Sequence, residues 1–114
     1  MKVVYVAGPF RASTTWAIEK NVRRAEEAGL AVVQLGAMPL IPHCNTRYFH
    51  GLMPDQFFLD GTLELMRRCD VLLLTGEWRT SSGCLKEWEE AQRLKMPILF
   101  GVDDLRKYME RLQP

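Results

Sequence analysis

Apolar and polar positions alternate along the chain in blocks that predict strands separated by helices. Four short apolar runs, rich in β-branched or aliphatic residues and bounded by glycine, proline or a polar residue, predict buried strands. These runs are Val3–Ala7, Met38–Pro42, Asp70–Thr75 and Pro97–Gly101.

The segments between these runs carry apolar residues at helical spacing. The first predicted helix is capped by Ser13 or Thr14, ends at Gly36, and has an apolar side made of Trp16, Ile18, Val22, Ala25 and Ala28. The remaining helices are predicted from Asp55, as the cap, to about Cys69, from about Gly83 to Lys95, and from Asp103 onward. Residues 43–54 show no period and are predicted to form a long, functional loop.

Strands that alternate with helices predict an α/β fold in which residues 1–114 form a single domain. We expect a three-layer sandwich, with a parallel sheet of about four or five strands and helices on both faces, as in flavodoxin-like and Rossmann-like domains. The two prolines of the second strand place it near an edge, and Val71–Leu74 predicts a central strand. Right-handed crossovers bring the loops after Ala7 and Thr75 to the carboxyl edge, where such folds bind ligands.

Composition and charge narrow the classes of partner. The 15 basic and 14 acidic residues give a net charge of +1, so there is no basic excess that would attract nucleic acid or an acidic membrane surface. No apolar run approaches the roughly 18 residues of a membrane span, and no signal-peptide pattern follows Met1, so we expect a cytoplasmic protein. Cys44, Cys69 and Cys84 are far apart and form no C-x-x-C pair, which predicts reduced thiols and no metal. We also expect no cofactor.

The segment from Ser81 to Glu87 carries the most specific chemical signal. Ser81, Ser82 and Gly83 open a predicted helix, whose free N–H groups and dipole favour an anion, although a simple N-cap is the alternative. Glu87 lies too far along the helix for a capping box. At helical spacing it shares a face with Cys84, Trp88, Ala91 and Leu94, whereas the solvated side carries Lys86, Glu89, Glu90 and Arg93. A carboxylate on an apolar face requires a partner or a chemical role.

The S-x-G-x-x-x-E spacing of Ser81, Gly83 and Glu87, together with Tyr5–Pro9, resembles the nucleoside 2-deoxyribosyltransferase superfamily. That superfamily includes the 2′-deoxynucleoside 5′-phosphate N-hydrolases and small phage and bacterial relatives. The small relatives are also similar to this chain in Phe57–Gly61, Cys69–Asp70 and Gly76–Trp78. The resemblance covers residues 3–101.

The resemblance implies cleavage or base exchange at the N-glycosidic bond of a nucleoside or nucleoside 5′-monophosphate. Glu87 would be the nucleophile that forms a covalent glycosyl intermediate. Tyr5 and Gly8 would line the sugar, and Arg11 with Ser81 would bind a 5′-phosphate. The resemblance also implies a homodimer or larger assembly whose sites are completed across subunits. The predicted substrate-binding residues are Tyr5, Gly8, Pro9, Phe10, Arg11, His43, Asn45, Trp78, Ser81, Ser82 and Gly83.

One position departs from the family pattern. The transferases and hydrolases carry an acid/base aspartate eight residues before the position of Asp70, and this chain has Thr62 there. Asp60 is the predicted second catalytic residue, although it lies about 200° around the helix from Thr62 and its alternative is a solvated or capping aspartate. Asp70 itself fits a structural role at a strand start. If the chain is an enzyme, residues 43–54 could supply a different acid. The departure also keeps a second hypothesis open, in which the chain is a non-catalytic nucleotide-binding or sensor domain.

Other predicted contacts also have a structural alternative. His43, Asn45, Tyr48 and Phe49 could close over a base, or the aromatic rings could pack beneath their loop. Trp78 could stack on a ligand or anchor its own loop. For Tyr5 the alternative is ordinary strand packing, and for Arg11 it is a solvated loop position.

Overall fold

A computed structural model of the protein describes residues 1–113, and in this range the chain forms one sheet of four parallel strands. The strands are β1 (Val3–Ala7), β2 (Met38–Leu40), β3 (Val71–Leu74) and β4 (Ile98–Phe100). Their order in the sheet is β2–β1–β3–β4, and Tyr5 pairs in register with Leu40 of β2 and Leu72 of β3. The prediction of a parallel sheet with β2 at an edge is confirmed.

Helices and single 3₁₀ turns connect and flank the strands. The helices are α1 (Thr15–Gln34), α2 (Pro42–Asn45), α3 (Asp55–Arg67), α4 (Ser82–Arg93) and α5 (Val102–Arg111), and the 3₁₀ turns are Arg47–Phe49 and Trp78–Thr80. The predicted cap of α1 is confirmed, because the Thr14 side chain accepts a hydrogen bond from the Ala17 N–H at 3.1 Å. The helix stops before Gly36, whose φ of 89° is a left-handed conformation that glycine adopts without strain.

Alternate residues of the central strands face two separate apolar layers. Val4 and Val6 of β1 pack with residues of α1 and α5, among them Leu105. Tyr5 and Ala7 point to the opposite face, where the layer includes Met66 of α3 and residues of α4. Because every side chain of β3 is buried as well, helices cover the sheet on both faces, as a three-layer α/β sandwich requires.

The start of β3 is tied to the start of β1 by a side chain. The Asp70 carboxylate accepts a hydrogen bond from the Val3 N–H at 2.8 Å. The strand-start role expected for Asp70 is therefore the one that the structure shows.

The first turn of α1 and the expected solvated side of α4 differ from the prediction. Trp16, expected on the apolar side of α1, is 74% exposed. It lies nine residues before the buried Ala25, which at about 100° per residue puts the two side chains roughly 180° apart around the helix. Glu90, expected on the solvated side of α4, is only 9% exposed, because Arg67 of α3 and Arg93 cover and bind its carboxylate.

The segment before α3 is more ordered than the predicted loop. It contains α2, which begins with Pro42 in a position that suits the first turn of a helix, and the 3₁₀ turn at Arg47–Phe49. These elements are too short to produce a period in the sequence. Asp55 is the first residue of α3 rather than its cap, since Pro54 occupies the cap position without a side-chain acceptor. Within residues 1–113, no helix is both long and apolar enough to cross a membrane.

Candidate active site

The carboxyl ends of the neighbouring strands β1 and β3 lie side by side in the sheet. The chain leaves β1 toward α1 on one face of the sheet and leaves β3 toward α4 on the other face. The N–H and the Oγ1 hydroxyl of Thr75 both donate to the Ala7 carbonyl, each at 2.9 Å. Gly8 lies directly against this contact, because a Cβ atom there would come within 2.7 Å of Thr75 Oγ1. Only glycine fits here, and crevices at such switch points are the usual ligand sites of open parallel sheets.

His43 fixes the turn that follows β1. Its side chain is 7% exposed, and its Nε2 atom lies 2.9 Å from the Gly8 carbonyl and 3.1 Å from the Pro9 carbonyl. Two carbonyl acceptors require that Nε2 carries the proton, so Nδ1 is an acceptor, and it is buried without a partner in the described chain. Burial lowers the pKa of His43, opposed by the two carbonyls, so the ring is neutral at pH 7. His43, which was predicted to bind a base, therefore donates its Nε2 proton to the turn after β1.

Glu87 lies at the inner face of α4. The Ser81 side chain caps this helix by accepting a hydrogen bond from the Cys84 N–H at 3.2 Å, which confirms the N-cap interpretation of Ser81. Glu87 is 7% exposed, as its place on the apolar face predicts, and it forms no ion pair within residues 1–113. Burial raises the pKa of Glu87 to about 7, although the nearby Tyr5 hydroxyl acts in the opposite direction.

Tyr5 is the polar neighbour of Glu87. Its side chain is fully buried, and its Oη atom makes no hydrogen bond of standard geometry in the part of the chain that the structure describes. Burial and, second, the Glu87 carboxylate raise the pKa of Tyr5 well above its usual value, whereas the Thr62 hydroxyl lowers it. Tyr5 of β1, Thr62 of α3 and Glu87 of α4 are thus neighbours, and position 62 faces this site.

No carboxylic acid takes the place of the family aspartate at this cluster within the described residues. The Thr62 hydroxyl donates to the Leu59 carbonyl at 3.0 Å, one turn back in α3. Asp60 lies on the exposed side of the same helix, where it accepts a hydrogen bond from Gln56 at 2.8 Å. That contact corresponds to the solvated interpretation of Asp60.

Arg11 is already engaged with a carboxylate. Its guanidinium lies 2.7 Å from the Asp55 carboxylate at the start of α3, and both side chains are mostly exposed. Ser81 is half-buried and occupied by its capping bond, while Ser82 at the first position of α4 is exposed. Gly83 has ordinary space around it, because a Cβ atom there would lie 3.8 Å from Ser81 Oγ. Across residues 1–113, no ion pair or side-chain hydrogen bond joins Arg11 to this helix start.

The remaining predicted residues lie around the same edge. Phe10 places its ring 5.7 Å from that of His43, and its carbonyl accepts a hydrogen bond from Asn21 at 3.1 Å. Asn45 is exposed at the end of α2, and Tyr48 is 81% exposed. The Tyr48 ring therefore does not pack beneath its loop.

Trp78 is the centre of an aromatic cluster that the sequence did not predict. It is 8% exposed, and its ring lies 5.9 Å from that of Trp88 and 5.7 Å from that of Phe100. The Arg79 guanidinium lies 4.5 Å from its ring centre, a cation–π contact. The loop-anchoring interpretation of Trp78 fits these contacts. Phe100, in the same cluster, is 48% exposed.

Comparison with known proteins gives a family without an assigned role. Residues 2–101 match the family described as "Domain of unknown function (DUF7768)". No curated protein matches the chain.

Proposed function

We propose that this chain, which belongs to the DUF7768 family, cleaves or exchanges the base at the N-glycosidic bond of a nucleoside or nucleoside 5′-monophosphate. The observation that carries the proposal is the Glu87 carboxylate, which is 7% exposed, has no cationic partner within residues 1–113 and lies beside the Tyr5 hydroxyl. Structural carboxylates in a core are normally paired, as Glu90 is. A buried carboxylate without such a partner is suited to attack an electron-poor carbon.

Glu87 would act as the nucleophile of a retaining reaction. Its ionised carboxylate attacks the anomeric carbon, the bond from that carbon to the base nitrogen breaks, and the electron pair leaves with the base. The resulting ester of the sugar with Glu87 is then attacked by water, which completes hydrolysis, or by a second base, which completes exchange. Low exposure strengthens the attraction between the carboxylate and the developing positive charge on the sugar.

Tyr5 supports this role for Glu87 in its protonated form. Because its pKa lies well above the usual value, the phenol keeps its proton at neutral pH. Its hydroxyl has no hydrogen-bond partner among the described residues, so it is available to donate toward the carboxylate or toward the sugar ring. A donor at this place helps to orient Glu87 and favours its ionised form, against the larger and opposite effect of burial.

The position of Arg11 bears on the choice between nucleosides and their 5′-phosphates. A phosphate that binds the Arg11 guanidinium must replace or share the Asp55 carboxylate. The pair is exposed, so its replacement costs little, about 0–1 kcal/mol. Binding of a 5′-monophosphate through Arg11 is therefore part of the proposal, with Asp55 as the competing group.

A non-catalytic nucleotide-binding or sensor domain is the second candidate. The observation that favours it is Thr62, which faces Tyr5 where the transferases and hydrolases have their acid. Such a domain would bind the same ligands through the turn after β1 and the start of α4 and release no base.

Released base decides between the two candidates. The full chain is incubated with a panel of nucleosides and their 5′-monophosphates, and free base is measured by chromatography. We expect base release by the wild type, none by Glu87→Gln, and wild-type release by Glu89→Gln, an exposed glutamate on the same helix. If the wild type binds a ligand of the panel but releases no base from any, the sensor candidate replaces the enzyme.

A further inference from the structure

An open groove of about 510 Å³ lies at the carboxyl ends of β3 and β4, between α1 and the start of α5. Its volume falls within the roughly 300–1,000 Å³ of small-molecule sites, although the groove is largely open to solvent and those sites enclose most of their ligand. Gly76 and Gly101 line it with backbone and no side chain, and a Cβ atom on Gly101 would meet nothing within 4 Å. Its lining includes Thr75 and Trp78 of the candidate active site but neither Tyr5 nor Glu87, so the groove adjoins that site without containing the proposed nucleophile.

Aromatic rings form one side of the groove. Trp78 lines it, but its surface is nearly covered by Trp88 and by the Arg79 guanidinium. Phe100 ends the same cluster and is 48% exposed, so a ring face or edge is free toward the groove that it lines. An exposed aromatic ring backed by a buried cluster is a rigid platform on which a flat ligand can stack.

Charges of both signs lie on the opposite side, where α1 supplies Arg24 and Glu27. Both side chains are exposed, and neither forms an ion pair within residues 1–113. They therefore offer donors and an acceptor to a ligand. The Asp104 carboxylate accepts a hydrogen bond from the Phe100 N–H at 3.0 Å, so a negative charge already lies at the start of α5 and disfavours an anion at that helix end.

We propose that this groove binds a neutral, planar heteroaromatic ring that carries both hydrogen-bond donors and acceptors. The ring stacks on Phe100 while its polar edge meets Arg24 and Glu27. The inference goes beyond the proposed function, because it requires no reaction at Glu87 and holds equally for an enzyme and for a sensor.

Binding is tested by ¹H–¹⁵N spectra of the full chain during titration with adenine, cytosine or uracil. Inorganic phosphate and ribose serve as ligands that lack an aromatic ring. We expect saturable shifts of the Gly101 and Val102 amides, which line the groove but are not part of the candidate active site, with at least one of the three bases and none with phosphate or ribose. Shifts that do not saturate, that phosphate produces equally, or that are confined to residues around Tyr5 and Glu87 overturn the proposal.

Two pairs of matched variants locate the ring. Phe100→Ala is expected to weaken binding about tenfold, the typical effect of removing one stacking partner. Leu112→Ala removes another half-exposed apolar side chain, which is neither in the groove nor in residues 48–57, and is expected to leave binding unchanged. Arg24→Gln is expected to weaken binding several-fold, and Arg23→Gln, its exposed neighbour on α1, to leave it unchanged.

The Arg24 and Arg23 pair decides the result if Phe100→Ala does not fold, because both arginines are exposed. Equal losses within either pair overturn the proposal. Glu87→Gln is expected to keep the amide shifts of Gly101 and Val102. Failure of the base-release experiment and failure of groove binding are therefore separate outcomes, measured at different residues.

Discussion

The Glu87 carboxylate lies in the apolar layer between the sheet and α4, with the Tyr5 hydroxyl as its polar neighbour. Burial of a charge without a cationic partner is unfavourable, so this position lowers the stability of the fold whenever Glu87 is ionised. The same burial makes the carboxylate a stronger partner for positive charge on a bound sugar. The ionised form of Glu87 therefore lowers the stability of the fold but is the form that the proposed reaction requires. Stability and activity are both expected to change with pH as Glu87 titrates.

Glu87→Gln is expected to stabilise the protein at alkaline pH. The pKa of Glu87 is about 7 in the folded protein against 4.5 in the reference state, so the folded state holds the proton more tightly and stability falls as pH rises from 4.5 to 7. Above that range the wild type carries the full penalty, on the order of 3 kcal/mol. Urea unfolding at pH 5 and pH 8 measures it: the advantage of the variant is expected to be largest at pH 8 and to shrink by pH 5. Glu89→Gln is the control, and an advantage independent of pH contradicts the assignment.

Thr62→Asp is expected to accelerate base release from nucleosides whose base needs a proton to leave. The site lacks a carboxylic acid at this position, and a general acid typically contributes about 100-fold or more. A purine nucleoside is compared with its N7-methyl derivative, whose base leaves without protonation. The variant is expected to speed release from the first and not from the second, and Thr62→Asn, which has the shape without the acid, to speed neither. Equal acceleration of both substrates argues against a missing acid.

Among the elements, α3 and α4 are joined by the ion pairs of Glu90. Its carboxylate binds Arg93 on its own helix and Arg67 on α3, and these bonds hold its pKa at about 2. The folded state therefore binds the proton less tightly than the unfolded state, and the stabilisation is present above pH 4.5 and lost as pH falls toward 2.

Glu90→Gln is expected to lower Tm at pH 6 and to have only a small effect near pH 2, where most of the charge stabilisation is lost. Thermal melts across this range measure the difference, with Glu89→Gln as the exposed control on the same helix. A loss of Tm that persists unchanged at pH 2 shows that Glu90 acts through packing and not through its charge.

The strands and long helices were predictable because their signals are local. A buried parallel strand is a continuous apolar run, as Val71–Leu74 is, and α1 shows a helical period between Thr14 and Gly36. The short α2 could not be predicted, since four residues hold no period. The turn after β1 depends on His43, 34 residues from the Pro9 carbonyl that it binds, and no local pattern reveals such a contact.

The candidate site was predictable only in part. The place of Glu87 on an apolar helix face followed from helical spacing, and its low exposure agrees with that. The pairing of Arg11 with Asp55 and the closeness of Thr62 to Tyr5 join separate elements and depend on how these pack. Glu90 shows most clearly what helical spacing alone misses. Its spacing places it on the solvated side of α4, but the long side chains of Arg67 and Arg93 cover it.

At the scale of the whole molecule, exposed apolar side chains concentrate in residues 48–57, where Tyr48, Phe49, Leu52, Met53 and Phe57 are each at least 46% exposed. Such a concentration favours contact with another protein surface. We expect a homodimer or larger assembly, and light scattering at micromolar concentration measures its mass. Leu52→Asp is expected to shift the mass toward the monomer, whereas Leu30→Asp, exposed elsewhere, is the control. A monomer for the wild type, with ligand present, contradicts this expectation.

The covalent intermediate on Glu87 tests the central claim most directly. A nucleoside with fluorine at the 2′ position slows both formation and breakdown of the intermediate, because fluorine destabilises the cationic transition state, and the glycosyl ester accumulates. After incubation and proteolysis, mass spectrometry is expected to find the fluorinated sugar on the peptide that contains Glu87, and to find none in Glu87→Gln. Base release by the wild type with no adduct, or with the adduct on another residue, contradicts the assignment of Glu87 as the nucleophile.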